Sequence, residues 1–253
     1  MTFITLMAIG LSFFGLLIGS FLNVVIYRLP REKSIVFPAS HCPACQKTIR
    51  WYDNIPLISY ILLSGRCRSC RVRIPFRYPI VEFLNGAGYL SLLYRFGWGW
   101  NLAAFSLLYS ALLAITFIDL SHQIVPDVIT YPGMVIGLIF SSTLLPVGFV
   151  NALIGLFLGG GLFYLVAFLS KGGMGGGDIK LIAMIGAFTG WKSVLLTIFI
   201  SALAGSAIGI ILMLFFGKNR KFPVPFGPFL ALGALCAIFW GDKIIFWYTH
   251  LGA

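Results

Sequence analysis

The sequence predicts an all-α, polytopic membrane protein of about eight transmembrane helices, with one long polar loop between the first two. Of its 253 residues, 59% are hydrophobic and 10% are charged, whereas soluble domains average roughly half apolar and a quarter charged residues. A water-soluble core cannot bury that much apolar surface. Several stretches also approach the ~20 apolar residues that span a hydrocarbon core.

The eight predicted spans are apolar stretches separated by short polar or glycine-containing turns. They cover residues 4–27, 79–95, 102–119, 128–146, 150–169, 179–190, 193–216 and 226–249. The sixth is short, since a dozen residues rise only about 18 Å, and an interfacial turn is predicted at 190–192. We therefore expect the glycine-rich loop before it to be recessed into the membrane, where it requires surrounding protein or a water-filled cavity.

The 18 basic residues are unevenly distributed between the two sides of this topology. Ten lie between Arg28 and Arg77. Five more fall in loops predicted on the same side, namely Lys171, Lys180, Lys218, Arg220 and Lys221, against Arg95, Lys192 and Lys243 on the other side. This positive-inside pattern predicts that segment 28–78 is cytoplasmic and that both termini are outside. The net charge of +11 is thereby explained by topology and anionic lipid headgroups, and we predict no nucleic-acid partner.

Small residues form one face of the first predicted span. Gly15, Gly19 and Asn23 recur at spacings of four, which places them together on a helix and lets a second helix approach closely. We favour plain helix packing for this face, and a substrate-docking surface is the alternative.

Two aspartates lie where the predicted topology can bring them together. Asp119 ends the apolar run 112–118, and Asp178 closes the glycine-rich segment 172–177. Ionisable groups at membrane depth are costly and indicate function. Two close carboxylates can share one proton, so that one activates a water molecule while the other polarises a carbonyl. The alternatives are a surface carboxylate at Asp119 and a helix N-cap at Asp178; two such residues on one side favour the pair.

Residues near the two aspartates receive separate predictions. Gly175, Gly176 and Gly177 precede Asp178 and leave room for an extended substrate backbone. Asp127 begins the fourth span, where we predict a helix N-cap. His122 would share the face of Asp119 if that helix continues, although a structural role is favoured for it.

Four cysteines in the polar loop predict a metal site. They form two CxxC pairs, Cys42 with Cys45 and Cys67 with Cys70, separated by 21 residues. This is a four-cysteine zinc pattern with a slightly long spacer, and zinc would fold a loop too small to build its own core. Disulfides are disfavoured on the cytoplasmic side; a redox-active pair is the remaining alternative.

Taken together, these stretches resemble the bacterial type IV prepilin peptidases, also called leader peptidase/N-methyltransferases. The similarity runs in order over nearly the whole chain. The matching residues are 19–30 (GSFLNVVIYRLP), the two CxxC pairs, 53–56 (DNIP), Ser59-Tyr60, 77–79 (RYP), Glu82, 118–119 (ID), 126–127 (PD), the GxGD-type 175–178 (GGGD), and 180–181 (KL).

The resemblance implies two activities at a bacterial inner membrane. The first is cleavage of a short basic leader from prepilins or pseudopilins, with Asp119 and Asp178 matching the catalytic pair. The second is N-methylation of the new N-terminus with S-adenosyl-L-methionine, associated with the cysteine loop and its neighbouring helices. Glu82 is a candidate for the methyl-donor site, with ion pairing as the alternative. We accordingly predict a methyltransferase-associated domain over 1–100 and a six-helix peptidase domain over 101–253.

Three other functions are compatible with parts of the sequence. A transporter or channel could relay ions through the two aspartates, but such proteins carry internal symmetry or paired broken helices, and only one interrupted segment is found here. A zinc-knuckle assembly factor without chemistry is a second alternative. A peptidase that lacks methyl transfer is the third.

Overall fold

The protein is all-helical over the residues that the computed structural model describes, which are 3–170, 173–217 and 224–250. Four of the basic residues used for the predicted topology, Lys171, Lys218, Arg220 and Lys221, lie outside these ranges. The described residues form the helices α1 (Phe3–Arg28), α2 (Ile58–Leu62), α3 (Arg77–Phe96), α4 (Trp100–His122), α5 (Asp127–Thr143), α6 (Phe149–Leu169), α7 (Gly176–Phe216) and α8 (Gly227–Thr249).

Each predicted span corresponds to helical structure, and the all-α prediction is confirmed. The sixth and seventh spans are both parts of α7, interrupted where Gly190 has a non-helical backbone (φ 75°, ψ 175°). A positive φ of this kind favours glycine, which explains the predicted turn. Among the described residues, five helical segments are long and apolar enough to cross a membrane, namely Thr5–Arg31, Trp100–His122, Phe149–Leu169, Gly176–Phe216 and Gly227–Thr249. Length and hydropathy therefore support five spans, and the count of eight stays a prediction.

The chain divides into two compact units, Met1–Ala114 and Ile115–Ala253. The division falls inside α4 rather than in a loop. The domain boundary that the sequence predicts between residues 100 and 101 stays a prediction.

In the first unit, α1 packs closely against α3 through its small-residue face. A Cβ atom at Gly15 would lie 2.9 Å from the Cα of Gly86, and one at Gly19 would lie 2.7 Å from the Cα of Glu82. The Asn23 side chain adds a hydrogen bond from Nδ2 to the carbonyl of Tyr78 (3.0 Å). The face predicted from the glycine spacing is thus a helix–helix contact.

A buried polar network ties three helices of this unit together. Asn85 on α3 donates to the carbonyl of Gly15 on α1 (2.8 Å) and accepts from the hydroxyl of Ser110 on α4 (2.9 Å). Ser110 also shares a hydrogen bond with the Tyr89 hydroxyl (3.0 Å). Because buried polar groups are costly without partners, this network fixes the register of α1, α3 and the first part of α4.

In the second unit, the first part of α7 is surrounded by protein. Residues 181–190 are all buried, and α7 packs against α5, α6 and α8. A helix that is apolar on every side is typical of a buried position. The predicted short span is therefore a central helix of this unit, and neighbouring helices, rather than lipid, cover its surface.

Glycines set the distance between α6 and α7. A Cβ atom at Gly155 would lie 2.7 Å from the carbonyl carbon of Gly190, and one at Gly186 would lie 2.4 Å from the carbonyl carbon of Gly155. Because these neighbours are backbone atoms, side-chain rotation cannot relieve such contacts. The two helices approach this closely only while both positions remain glycine.

We expect Gly155→Ala to lower the melting temperature of the purified protein, because overpacking against backbone costs about 1–3 kcal/mol. Gly161→Ala on the same helix is the matched control, since a Cβ atom there meets no atom within 4 Å. That variant should leave the melting temperature unchanged or raise it slightly. Thermal unfolding in detergent measures both, and equal melting temperatures for the two variants would contradict the close contact.

Candidate functional site

Asp119 lies in the last turn of α4 and is almost completely buried, with 4% of its surface exposed. Its Oδ2 atom accepts a hydrogen bond from the backbone N–H of Gly227, at the first residue of α8 (2.9 Å). The N-terminus of a helix carries free N–H groups and a partial positive charge. The α8 terminus thus holds one oxygen of this buried carboxyl group in a fixed position.

Gly227 is a site residue that the sequence alone did not reveal. A Cβ atom at this position would lie 2.7 Å from the Oδ2 atom of Asp119, so no other amino acid fits without displacing the carboxyl group. The Gly-Pro pair at 227–228 is a recognisable helix start. The contact itself joins residues 108 positions apart, and no local pattern predicts it.

Asp178 is the third residue of α7, and its carboxyl group lies within electrostatic reach of Asp119. The N-cap of α7 is Gly175, so the alternative role of Asp178 as an N-cap is wrong. Within the described ranges no hydrogen bond is formed to its carboxyl group. The second unit thus brings together the two aspartates predicted as a pair, one held by a backbone donor and the other without such a restraint.

The three glycines before Asp178 have different surroundings. A Cβ atom at Gly177 would lie 2.7 Å from the Cβ of Val125, so packing requires glycine there. A Cβ atom at Gly176 would meet no atom within 4 Å, and one at Gly175 would meet only the Asp178 carboxyl group, at 3.5 Å. There is open space beside Gly175 and Gly176 and none beside Gly177, and its use by a substrate stays a prediction. Gly172, at the start of the glycine-rich segment, lies outside the described residues.

Asp127 is not the helix N-cap that the sequence predicts. Pro126 occupies that position, and Asp127 is the first residue of α5. Its carboxylate instead forms an ion pair with Lys180 of α7, two residues after Asp178. The pattern of a Pro-Asp pair before an apolar run did predict the helix start, whereas the partner on another helix could not be inferred.

His122 ends α4, three residues after Asp119. Its Nδ1 atom is buried and makes no hydrogen bond among the described residues. Within the described part of the chain, its Nδ1 atom thus makes no hydrogen bond to either carboxyl group that would support a role in the site.

The four cysteines form a cluster suited to a tetrahedral metal. Their Sγ atoms all lie within 4.8 Å of one another, and those of Cys42 and Cys70 are 3.7 Å apart. None of the four is in a disulfide. Zinc–sulfur bonds of about 2.3 Å in a tetrahedron place the sulfurs roughly 3.8 Å apart. The donor set and its spacing therefore fit a four-thiolate metal ion.

The two CxxC segments adopt the same local structure. The N–H of Cys42 donates to the carbonyl of Lys47 (3.0 Å), and that of Cys67 donates to Val72 (2.9 Å). The residue after each second cysteine, Gln46 or Arg71, has a positive φ of 58° or 60°. Each segment is thus a tight knuckle that points both of its sulfurs toward the other knuckle.

Backbone donors favour the thiolate form within one knuckle. The N–H groups of Cys70 and Ser69 lower the pKa of the Cys67 thiol to about 7. The thiolate is the form that binds metal ions. In the same knuckle the pKa of the Cys70 thiol is raised to about 11, because the lowering by the Val72 N–H is outweighed by burial and by hydrogen bonds with the other cysteines. The thiolate form is therefore favoured at Cys67 and not at Cys70.

Glu82 is buried at the start of α3, with 8% of its surface exposed. Its Oε2 atom accepts the backbone N–H of Leu57 (2.9 Å), and the Ser20 hydroxyl also donates to this carboxyl group. Ion pairing, the alternative considered for this residue, is not what holds it. Glu82 also lines a cavity of about 350 Å³ between the cysteine loop and the start of α3.

Comparison with known proteins gives matches over most of the chain. A family model described as the bacterial peptidase A24 N-terminal domain matches residues 13–96, and one described as the type IV leader peptidase family matches residues 106–210. No solved structure matches the chain.

Curated relatives share the same printed name. A prepilin leader peptidase/N-methyltransferase of Pseudomonas aeruginosa is 39% identical over 91% of this chain and 89% of its own length. The protein of that name from Aeromonas hydrophila is 39% identical, covering 93% and 91%. The one from Legionella pneumophila is 36% identical, covering 96% and 94%.

Proposed function

Because the chain belongs to the type IV leader peptidase family, we propose that Asp119 and Asp178 are the carboxyl pair that hydrolyses the leader peptide bond of a prepilin. The protein cleaves leader peptides from prepilins and N-methylates the product. Membership of this family excludes the transporter and the assembly factor as primary functions. The observation that carries the catalytic assignment is the placement of a buried, backbone-held Asp119 within electrostatic reach of Asp178.

The pair supplies both proton transfers that hydrolysis needs. One carboxylate takes a proton from water as the water oxygen attacks the scissile carbonyl carbon, while the protonated partner donates a hydrogen bond to the carbonyl oxygen. The C–N bond then breaks, and the proton passes to the leaving amine. Gly175 and Gly176 would admit the substrate backbone beside Asp178, because neither presents a side chain there.

The substrate chemistry and the charge distribution support one orientation in the bacterial inner membrane. We propose eight spans with the cysteine loop and the active site facing the cytoplasm, as the positive-inside pattern predicts. A type IV prepilin or pseudopilin with a basic leader and a hydrophobic helix would then present its cleavage point at the cytoplasmic edge. Membrane lipids surround the apolar helices in this arrangement.

For the second activity we propose a structural zinc and a bound methyl donor. Cys42, Cys45, Cys67 and Cys70 would hold one Zn²⁺, since their sulfurs have the required spacing. S-adenosyl-L-methionine supplies the methyl group when bound. Glu82, a buried carboxyl group that lines the cavity beside the cysteine loop, is the residue we propose to face this cationic donor.

We expect Asp119→Asn and Asp178→Asn each to reduce cleavage by about a thousandfold or more, because a shared-proton pair needs both carboxyl groups. Asp127→Asn is the control carboxylate at the start of α5, and its loss removes only a solvent-exposed ion pair, which is worth about 0–1 kcal/mol. Cleavage of a purified prepilin in detergent is the measurement. An inactive Asp127→Asn together with an active Asp119→Asn would refute the assignment.

Gly227→Ala should lower the cleavage rate about 10- to 100-fold, because displacing a catalytic group by a fraction of an ångström carries costs of this size. Gly241→Ala, on the same helix, is the control, since the nearest atom to its Cβ is at 3.7 Å. That variant should cleave at the wild-type rate. Equal rates for both variants would show that the α8 terminus does not position Asp119.

Purified protein should contain one zinc ion per chain, and replacing any one of the four cysteines by Ser should lower the metal content. These variants should lose methylation of a pre-cleaved pilin more than cleavage of full-length prepilin, because the cysteines and the aspartate pair belong to different compact units. Metal analysis and mass spectrometry of both products make the comparison at matched expression. Equal loss of both activities in every variant would instead indicate one coupled site.

A further inference from the structure

Two cavities adjoin each other in the first unit, and neither is part of the aspartate pair. The larger, of about 350 Å³, adjoins the cysteine cluster, because Cys42 and Cys67 are in its wall, and its other lining residues include Asp53, Asn54, Tyr60, Arg73, Tyr78 and Glu82. The smaller, of about 280 Å³, is lined by residues that include Leu17, Ser20, Phe21, Val24, Ala39 and Asn54. Asn54 belongs to the walls of both.

The larger cavity has the composition of a site for a polar small molecule that carries both charges, since its lining holds two carboxylates, Asp53 and Glu82, and four cationic side chains, Lys47, Arg50, Arg68 and Arg73. Its volume lies in the range of about 300–1,000 Å³ that such ligands occupy. Glu82 provides a buried carboxyl group, and the rings of Tyr60 and Tyr78 provide flat surfaces on which a heterocycle can stack. Arg73 is exposed at the rim, where it can meet a ligand carboxylate. A nucleoside that carries a sulfonium ion and an amino-acid group complements all three features. Its sulfonium can face Glu82, its base can stack on a tyrosine ring, and its carboxylate can meet Arg73.

On the α1 side, the smaller cavity is lined by the apolar Leu17, Phe21 and Val24 and by Ser20 and Arg28. Arg28 is buried and donates to the carbonyls of Ser34 and Pro38. Leu17 and Phe21 are 44% and 48% exposed, and Val24 is half-buried between them and the loop. An apolar side chain at the end of a hydrophobic helix could enter here from the membrane. A cleaved pilin has such an end, because its mature sequence begins with the hydrophobic segment.

Ser20 and Asn54 connect the two cavities chemically. Ser20 lines the smaller cavity, and its hydroxyl donates to Glu82, which lines the larger one. The Glu82 carboxyl group also accepts the N–H of Leu57, whose φ of 59° and ψ of −48° form a strained γ-turn three residues after Asn54. Strain of this kind persists only where surrounding contacts enforce it, and it concentrates at functional sites.

We propose that these cavities are the two halves of the methyl-transfer site: the larger binds S-adenosyl-L-methionine with its sulfonium facing Glu82, and the smaller holds the new N-terminal residue of the pilin. The amine and the methyl donor meet at Asn54: the N–C bond forms as the S–C bond breaks, S-adenosylhomocysteine leaves, and the methylated amine releases its surplus proton to water. This assignment rests on the methyltransferase activity stated above and adds where both substrates bind.

The donor half is tested by calorimetric titration of the full-length protein in nanodiscs with S-adenosylmethionine and, separately, with S-adenosylhomocysteine. The two ligands differ in the charge on sulfur. Glu82→Gln keeps an oxygen that can accept the Leu57 N–H but removes the negative charge. We expect it to weaken S-adenosylmethionine binding by about tenfold or more, which is 1.4 kcal/mol or more. Binding of S-adenosylhomocysteine should be nearly unchanged.

Glu32→Gln is the charge-matched control, since Glu32 lies in the same unit, is exposed and is not among the residues that line either cavity. Its affinities for both ligands should equal those of the wild type. Equal weakening of both ligands by Glu82→Gln would assign that residue a structural role and overturn the sulfonium contact. Unchanged binding of both would place the donor elsewhere and overturn the cavity assignment.

The acceptor half is tested with Val24→Phe, which fills the smaller cavity. We expect a higher KM for methylation of a pre-cleaved pilin peptide, with kcat and S-adenosylmethionine affinity nearly unchanged. Leu6→Phe, an exposed position on the same helix, should leave all three values unchanged. An unaltered KM in Val24→Phe would overturn this half of the proposal.

Methylation of the same peptide by the wild-type protein tests the proposed function independently. If the wild-type protein methylates the peptide, and the Glu82 and Val24 variants have the same donor affinity and the same KM, only the location of the site is refuted. Wild-type protein that neither binds the donor nor methylates the peptide refutes the methyltransferase function itself, and the site with it.

Discussion

The hydrogen bond from the Gly227 N–H to Asp119 is the contact on which the arrangement of the second unit depends. Asp119 is only 4% exposed, and a buried carboxyl group needs a hydrogen-bond partner. A backbone N–H at a helix terminus supplies the partner without adding a side chain. The start of α8 must therefore lie against the end of α4, and Gly227 is the residue that permits this approach.

Glycines and backbone contacts, rather than large side chains, also determine the packing around Asp178. Residues 181–190 of α7, which follow Asp178, are all buried, and glycines bring this part of the helix into backbone contact with α6. Such contact leaves little freedom for the helix to slide or rotate. The Asp127–Lys180 ion pair further links the start of α5 to the first turns of α7. Asp178 thus extends from a rigid helix, although the loop before it is rich in glycine.

Local sequence patterns were sufficient to predict those site residues that belong to short, recognisable motifs. The paired CxxC spacing predicted a cysteine cluster, and the structure gathers all four sulfurs. The glycine run before Asp178 and the apolar run before Asp119 predicted two aspartates at the ends of helices, and both end up in one unit. Gly190, followed by Trp191 and Lys192, predicted the interruption of α7.

Contacts between distant residues could not be predicted in this way. Gly227 reaches Asp119 across 108 positions, and Asn85 reaches Gly15 across 70. Asp127 looked like a helix cap because caps depend on local sequence, whereas its actual partner, Lys180, is 53 residues away. The number of membrane spans also could not be predicted from composition alone. A helix that is enclosed by other helices is as apolar as a membrane-spanning helix, even when it does not cross the bilayer by itself.

The two cysteine knuckles have a consequence for the segment between them. Cys42 and Cys67 are the first ligands of each knuckle, so a metal held by both converts the intervening chain into a closed ring. Closing a loop removes conformational entropy from the unfolded chain and confines the loop in the folded one. Asn54 and Tyr60 belong to this ring and also to cavity walls. Cys42 and Cys67 also line the larger cavity. The shape available to a small molecule in this unit would therefore depend on metal occupancy both through these two ligands and through the chain between them.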